Sequence, residues 1–503
     1  MVFRDFAQKI PIRMGTDEEF ALVAGALKLA HFDEETLLSI LKIERMSDVG
    51  SLTLDKIDLS NVSEQLRLLI RLFIFLGLVP RADVERAIDR ATLDAFESLG
   101  ILRCGDYGED QFYTTILLYP VAGFLIASDR HSNPDFSTFT PSPDIVFPAI
   151  YGGTLRFLKV IPRSQAEDVI DLCGGSGIGA FLMGRTARHA VSSDITERAT
   201  AFVRFNCALN RLDNVEAVCG DLYGGVEGRT FDRITAHPPY VPSLSDTTIW
   251  RDGGRTGEAL VRRIIEGVPR YLRKGGLFCI VSIGLDTAEG LFEERTRNWM
   301  GETSDEFDII FAYADERAPE QVLRSIAERE QLEPDEVRQL AQAFADAGTL
   351  KTHYGVLIMR RREEGAKREP WTMRTRWSEE TNGQDVEWAF SWHDRSLQPD
   401  FLEEMKGARP RLSPRLQVHV THVVHEGSLV PAEFVFETDK PFDFKAEFEA
   451  SMIPVIVRFD GALTTAEVYQ AAIKESDLPD NFTLEDFTRV IAQMVERGVL
   501  EQG

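Results

Sequence analysis

The run Asp171-Leu172-Cys173-Gly174-Gly175-Ser176-Gly177 constrains the fold more than any other stretch of the chain. An apolar segment, Asp168–Leu172, leads into it, and a helix-forming segment, Gly179–Arg185, leaves it. Glycines in the turn permit left-handed backbone and close approach, because no Cβ intrudes. A strand that ends in such a turn and opens a helix begins a βαβ unit. It commits this part of the chain to a parallel sheet with helices on both faces.

The following residues keep to that plan. Ala190–Ile195 reads as a strand that ends at Asp194, Glu197–Asn210 as a helix, and Val215–Cys219 as a strand followed by Asp221. Phe231–Ala236 is a further strand, Gly257–Tyr271 a helix and Leu277–Ser282 a strand. Phe307–Ala312 and Tyr354–Arg360 read as the last two, with a helical stretch over 317–347 between them. Strands spaced by helices of this length predict a doubly wound α/β domain over about 146–363. Residues 1–145 read as mostly helical, with helices at Glu18–Leu29, Asp33–Leu41, Leu66–Leu78, Asp83–Ile88 and Thr92–Leu99. A hairpin across Gly105-Asp-Tyr-Gly follows, its second strand running over Gln111–Tyr119. Helices followed by a hairpin give a winged-helix-like pattern. Residues 364–503 read as an α+β unit. Glu364–Gln384 is charged and loop-like, strands fall at Leu416–Val424, Ala432–Glu437 and Val455–Arg458, and helices fall at Thr464–Ile473 and Leu484–Arg497. This end too is winged-helix-like.

A second motif carries the chemistry. His237-Pro238-Pro239-Tyr240 follows the fourth strand of the central domain. Prolines fix the turn and leave carbonyls without competing amides. Together with the glycine turn and the acids at 171, 194 and 221, this constellation resembles the class I S-adenosylmethionine-dependent methyltransferases. His-Pro-Pro-Tyr is similar to the Asn-Pro-Pro-Tyr motif of members that methylate amino and amide nitrogens, including a protein glutamine side chain. The resemblance implies a seven-stranded sheet with a late reversed pair and S-adenosyl-L-methionine as cofactor.

It also implies roles. Asp171 faces the methionine portion through its ammonium, and Gly175 and Gly177 let the backbone approach. Asp194 takes the ribose diol, as the acid of open α/β nucleoside sites does. Asp221 lies near the adenine amino group, and Ile195 and Leu222 stack on the ring. Cys173 stands where the usual glycine triplet has its first glycine. Pro238, Pro239 and Tyr240 border the methyl acceptor. Trp250, Arg251 and Asp252, in a loop that resembles the Asp-Gly-Gly after the Pro-Pro motif, reach toward it. His237 replaces the Asn. A neutral imidazole accepts through one nitrogen only, and it can act as a base near neutral pH. That suits an oxygen, thiol or heteroaromatic nitrogen better than a primary carboxamide.

Composition narrows the partners. The 503 residues carry a formal charge of −25, which opposes phosphate backbones and anionic membrane surfaces. Neither the helix at 92–99 nor the hairpin after it is basic, so the winged-helix-like end predicts a cover or a homodimer contact rather than DNA binding. Five cysteines without a Cys-x-x-Cys, and an N-terminus lacking the apolar core of a signal peptide, predict a cytoplasmic protein. The most apolar window, Leu66–Leu78, carries Arg67 and Arg71 and is too short to span a bilayer. His419, His422 and His425 alternate along a strand and are not expected to hold a metal. The expected substrate is a small molecule or peptide, methylated on N, O or S. Three alternatives remain open at this point. One is a methyltransferase acting on a flipped nucleic-acid base. Another is an inactive cofactor-binding adaptor. The third is an NAD-dependent oxidoreductase, since Gly175-Ser-Gly177-Ile-Gly-Ala180 also fits the dinucleotide fingerprint.

Overall fold

A computed structural model describes residues 9–245, 248–365, 368–475, 477–478 and 481–502. Its centre is a mixed sheet, whose strands are numbered β1 to β8. They are β1 Ala166–Leu172, β2 Ala187–Asp194, β3 Val215–Cys219, β4 Phe231–Ala236, β5 Leu272–Thr287, β6 Phe307–Arg317, β7 Thr349–Arg361 and β8 Thr372–Arg376. The spatial order is β8-β6-β7-β5-β4-β1-β2-β3. β1 to β5 run parallel, and β7 lies antiparallel between β5 and β6. The order reverses between β1 and β4, which opens a crevice at the carboxyl ends of those strands.

The expected doubly wound sheet and its reversed pair are present, with eight strands rather than seven. β8 comes from the charged segment read as a loop; Thr372–Arg376 pairs in parallel with Ile309–Tyr313 at the sheet edge. Its polar alternation resembles a loop because only one side of it has a strand partner. The stretch between β6 and β7 forms two helices, Pro319–Glu330 and Pro334–Asp346. Leu323, Leu340 and Phe344 pack there on Ile283 and Leu285 of β5, with Tyr240 and Leu244 against the same cluster.

The N-terminal part supplies helices Asp17–Leu29, Glu34–Leu41, Glu64–Leu69, Arg81–Ala87 and Arg90–Ser98, and a small sheet of Val79–Pro80, Gly108–Thr114 and Leu102–Gly105. The strand expected over Gln111–Tyr119 is in fact two. Ile116–Val121 leaves that sheet and pairs with Phe124–Asp129 instead. This second hairpin is bolted to the helix Glu197–Asn210. The Asn206 side chain accepts from the Ala127 N–H at 2.8 Å and donates to the carbonyls of Ala127 and Ser176, both at 3.0 Å. Arg198 forms a buried ion pair with Asp129, its Nε 2.7 Å from Oδ2. Buried residues of the N-terminal helices and the central domain form one continuous core, with Phe20 edge-on to Phe205 at 5.1 Å.

In the C-terminal part, a hairpin of Gln417–His425 and Ser428–Thr438 carries the three histidines on strand, with the first of these strands exposed throughout. Helices Thr465–Lys474 and Leu484–Glu496 follow. Val455–Arg458 is not a strand: Ile453–Ile456 is a helical turn with a proline in its first turn. The fixed φ of Pro454 suits a helix start and outweighs the β-branched run. No helix among the described residues is long and apolar enough to cross a membrane.

Candidate active site

A cavity of about 540 Å³ lies along the carboxyl ends of β1 to β4. Asp171, Cys173, Gly175, Asp194, Ile195, Asp221, Leu222, His237, Pro238, Pro239, Tyr240, Trp250, Arg251 and Asp252 all line it. Gly177 lies just behind, at the start of the helix Ile178–Gly184. The sequence-read residues therefore converge on one crevice.

One half is built from the glycine turn and the strand-end acids. Cys173, Gly175 and Gly177 have φ of 57°, 53° and 90°. The first position explains the glycine usual there: cysteine occupies a left-handed conformation that an L-residue adopts at a cost of roughly 1–2 kcal/mol. At Gly177 a Cβ would also come within 2.8 Å of the Phe181 ring, whereas at Gly175 it would meet nothing within 4 Å. The turn thus leaves open backbone beside an acid.

Asp194 closes the turn. Its Oδ2 accepts from the Gly175 N–H at 3.0 Å and its Oδ1 from the Thr196 N–H at 3.1 Å. Burial raises its pKa. Asp171 is buried at the end of β1 and accepts from the Thr235 hydroxyl at 2.7 Å. Burial, with the nearby Asp194 charge, pushes its pKa up to about 7. A cation brought beside these two acids relieves that repulsion. Asp221 is exposed and pairs with Arg263 at 2.9 Å, a partner the sequence did not reveal. Leu222 packs under the floor with φ of 56°.

The other half is aromatic. The His237 ring lies 5.3 Å from Phe157 and 6.0 Å from Tyr240, nearly parallel to the latter at 23°. Burial pushes the His237 pKa down to about 4, so the imidazole is neutral at physiological pH. Tyr354 of β7 stands behind Tyr240 at 5.6 Å. Gly153 faces all three: a Cβ there would lie 3.4 Å from Tyr354 Oη, 3.9 Å from His237 Cε1 and 4.0 Å from Tyr240 Oη. Phe147 stacks between Trp250 at 4.4 Å and Tyr151 at 4.6 Å. Sequence reading missed Phe147, Tyr151, Phe157 and Tyr354. They come from segments that carry no motif, and the only local hint is two aromatics four residues apart before the helix Gly152–Val160.

This wall is fixed by the N-terminal hairpin. The Val146 N–H donates to Asp129 Oδ2 at 2.8 Å, and the Ala149 N–H to Tyr119 Oη at 2.6 Å. Arg251 and Asp252 line the cavity but also hold the loops. Arg251 pairs with Glu330 of the helical insertion at 3.0 Å. Asp252 accepts from the Ser245 hydroxyl at 3.0 Å and the Thr248 N–H at 3.1 Å.

The family model of the methyltransferase small domain matches residues 149–300. A protein of Methanocaldococcus jannaschii that carries the name of a protein N5-glutamine methyltransferase is 30% identical over 150 residues, 28% of this chain and 74% of that protein. The release factor glutamine methyltransferase of Thermodesulfovibrio yellowstonii is 31% identical over 136 residues, 24% of this chain and 48% of that one. The ribosomal protein uL3 glutamine methyltransferase of Xanthomonas campestris is 32% identical over 125 residues, 22% of this chain and 41% of that one. The chain thus spans less than half the length of the latter two. The dehydrogenase and inactive-adaptor alternatives give way to this match. The chain belongs to the class I S-adenosylmethionine-dependent methyltransferases, and S-adenosyl-L-methionine is its cofactor.

Proposed function

We propose that the enzyme methylates a nitrogen, oxygen or sulfur atom of a small molecule or peptide seated between His237 and Tyr240. The observation that carries this reading is the neutral imidazole at the head of the Pro-Pro-Tyr turn, in the aromatic half of the cavity. S-adenosyl-L-methionine, when bound, would supply a methyl group already activated on its sulfonium. The protein contributes alignment and exclusion of water. Asp171 would hold the cofactor's ammonium, Asp194 its diol, Asp221 with Ile195 and Leu222 its adenine, and Gly175 and Gly177 with Cys173 would form the turn beneath it. His237 accepts a hydrogen bond from the acceptor's N–H or O–H. A base with a pKa near 4 holds a proton poorly at neutral pH, so its work is orientation and the proton passes on to water. Pro238 and Pro239 fix the strand end, and Trp250, Arg251 and Asp252 shape the loop over the acceptor.

A second reading, methylation of a protein glutamine, is favoured by the names of the relatives and by the Pro-Pro-Tyr motif. It lacks the paired contacts an Asn would offer the carboxamide. Radiolabelled methyl transfer to a glutamine-containing peptide and to a panel of phenols, thiols and heteroaromatic amines separates the two. The first reading expects transfer to the panel by the wild-type chain, and to the peptide only by His237→Asn. Efficient wild-type transfer to the peptide alone would overturn it. A flipped nucleic-acid base is disfavoured by the charge of −25. The same proposal takes 1–145 as a helical, winged-helix-like unit and 364–503 as an α+β unit ending in a winged-helix-like module, flanking the catalytic domain 146–363, the first a cover or homodimer contact in a cytoplasmic enzyme.

A further inference from the structure

The acceptor half holds a feature that methyl transfer itself does not require. Tyr151, Phe147 and Trp250 form one continuous stack on the cavity wall, with interplanar angles of 24° and 9°. The rings come from two separate segments, joined beside the stack by the Ile249 N–H donating to the Pro143 carbonyl at 3.2 Å. Each residue nevertheless keeps 36–37% of its surface exposed. Burying large apolar side chains is favourable, so a held but open ring stack is an unused binding surface.

The surroundings state what fits. Ile145, Val146, Ile249 and Leu260 extend the apolar lining. Charged groups along this wall are engaged: Arg251 with Glu330, Asp252 with Ser245 and Thr248, and Asp144 with the Ser142 hydroxyl. Tyr151 stands two residues before Gly153, which packs against Tyr354, His237 and Tyr240. The stack, His237 and Tyr240 line the same cavity, and a flat neutral ring laid on the stack gains edge or face contacts with it beyond simple area burial.

We propose that the Tyr151–Phe147–Trp250 stack is the specificity platform of this enzyme, and that the acceptor carries a neutral aromatic ring bearing a hydroxyl, thiol or amine. The proposal rests on the acceptor position assigned above and names its substrate class.

The test uses the full chain saturated with S-adenosylhomocysteine, titrated calorimetrically with 2-naphthol, with its saturated counterpart decahydro-2-naphthol and with a glutamine-containing peptide. The expected result is preferential binding of 2-naphthol, weakened about tenfold in Trp250→Leu and restored in Trp250→Phe, with S-adenosylhomocysteine affinity unchanged in both. Phe147→Leu should weaken it similarly. Equal affinity for the saturated ring, tightest binding of the peptide, or indifference to both leucine variants would overturn the platform and leave the methyl-transfer reading standing. Conversely, ring-dependent naphthol binding together with full activity of His237→Ala would preserve the platform and sink the assigned acceptor position.

Discussion

The two halves of the cavity are made in different ways. In the cofactor half, contacts run between neighbours along β1 and β2: Gly175 to Asp194, Asp194 to Thr196, and Gly174 to Ser193 at 3.0 Å. Backbone amides and carboxylates do the holding. In the acceptor half, side chains from the segment 144–157, the loop 248–254, the end of β4 and the start of β7 meet through ring contacts. The N-terminal hairpin and the helical insertion brace them from outside. A site for a fixed ligand thus rests mainly on the first βαβ unit and the strand ends beside it, and a site for a variable one is assembled from parts that change independently.

That contrast breaks most sharply at Asp194. Asp194→Ala should weaken S-adenosylmethionine binding by about 10²-fold or more, from two lost charge-assisted bonds of about 1.5–3 kcal/mol each, while turnover of the loaded enzyme changes little. Calorimetry and saturating kinetics read the two separately. Unchanged affinity would remove the diol role.

Asp171 sharpens the same half. Its carboxyl titrates near 7 in the folded chain, above the ordinary 3.8. The protonated form is favoured by folding, so the stability it allows is complete below about 4 and is lost as pH rises through 7. Asp171→Asn should therefore melt higher than the cofactor-free wild type at pH 8, by an amount on the order of a few kcal/mol. The gap should open between pH 4 and 7 and then level off. A gap that widens toward acid would contradict the burial of this group.

On the acceptor side, His237→Ala should spare cofactor affinity and lower turnover by roughly 10- to 100-fold, the scale of a lost orienting contact. With its pKa near 4, His237 should leave no inflection in kcat between pH 6 and 8. An inflection near 6.5 that vanishes in the variant would restore it as a working base.

The smallest effect is expected at the brace. Glu330→Gln loosens the Arg251 pair, which is partly exposed, and should cost under about 1 kcal/mol. The expected readout is a raised KM for the acceptor with cofactor affinity intact. A changed cofactor affinity instead would show that the insertion serves both halves.

These differences follow what the sequence made legible. That Asp171, Cys173, Gly175 and Asp194 would meet at one crevice could be read because a tight turn and a strand end impose residue types at fixed spacing. The succession of strands along the chain was legible up to β7, and the reversed last pair followed from the family resemblance. β8 was not, since a polar strand at a sheet edge carries no hydrophobic period. Pro454 misled in the opposite direction: a β-branched run signalled a strand where the backbone had already turned into a helix. Arg263, which neutralises Asp221 from the helix Ala259–Tyr271, sits 42 residues away and shares no motif with it.

By itself, then, the chain determined a doubly wound sheet, a glycine turn flanked by strand-end acids and a Pro-Pro-Tyr turn with a histidine at its head, because each is enforced by dihedral and spacing rules acting over a few residues. Tertiary structure alone decided that the histidine is neutral, that Tyr151, Phe147 and Trp250 stack on the same cavity wall and that a helical pair packs against Tyr240. Desolvation and ring contacts depend on which surfaces folding brings together, and no local pattern encodes that.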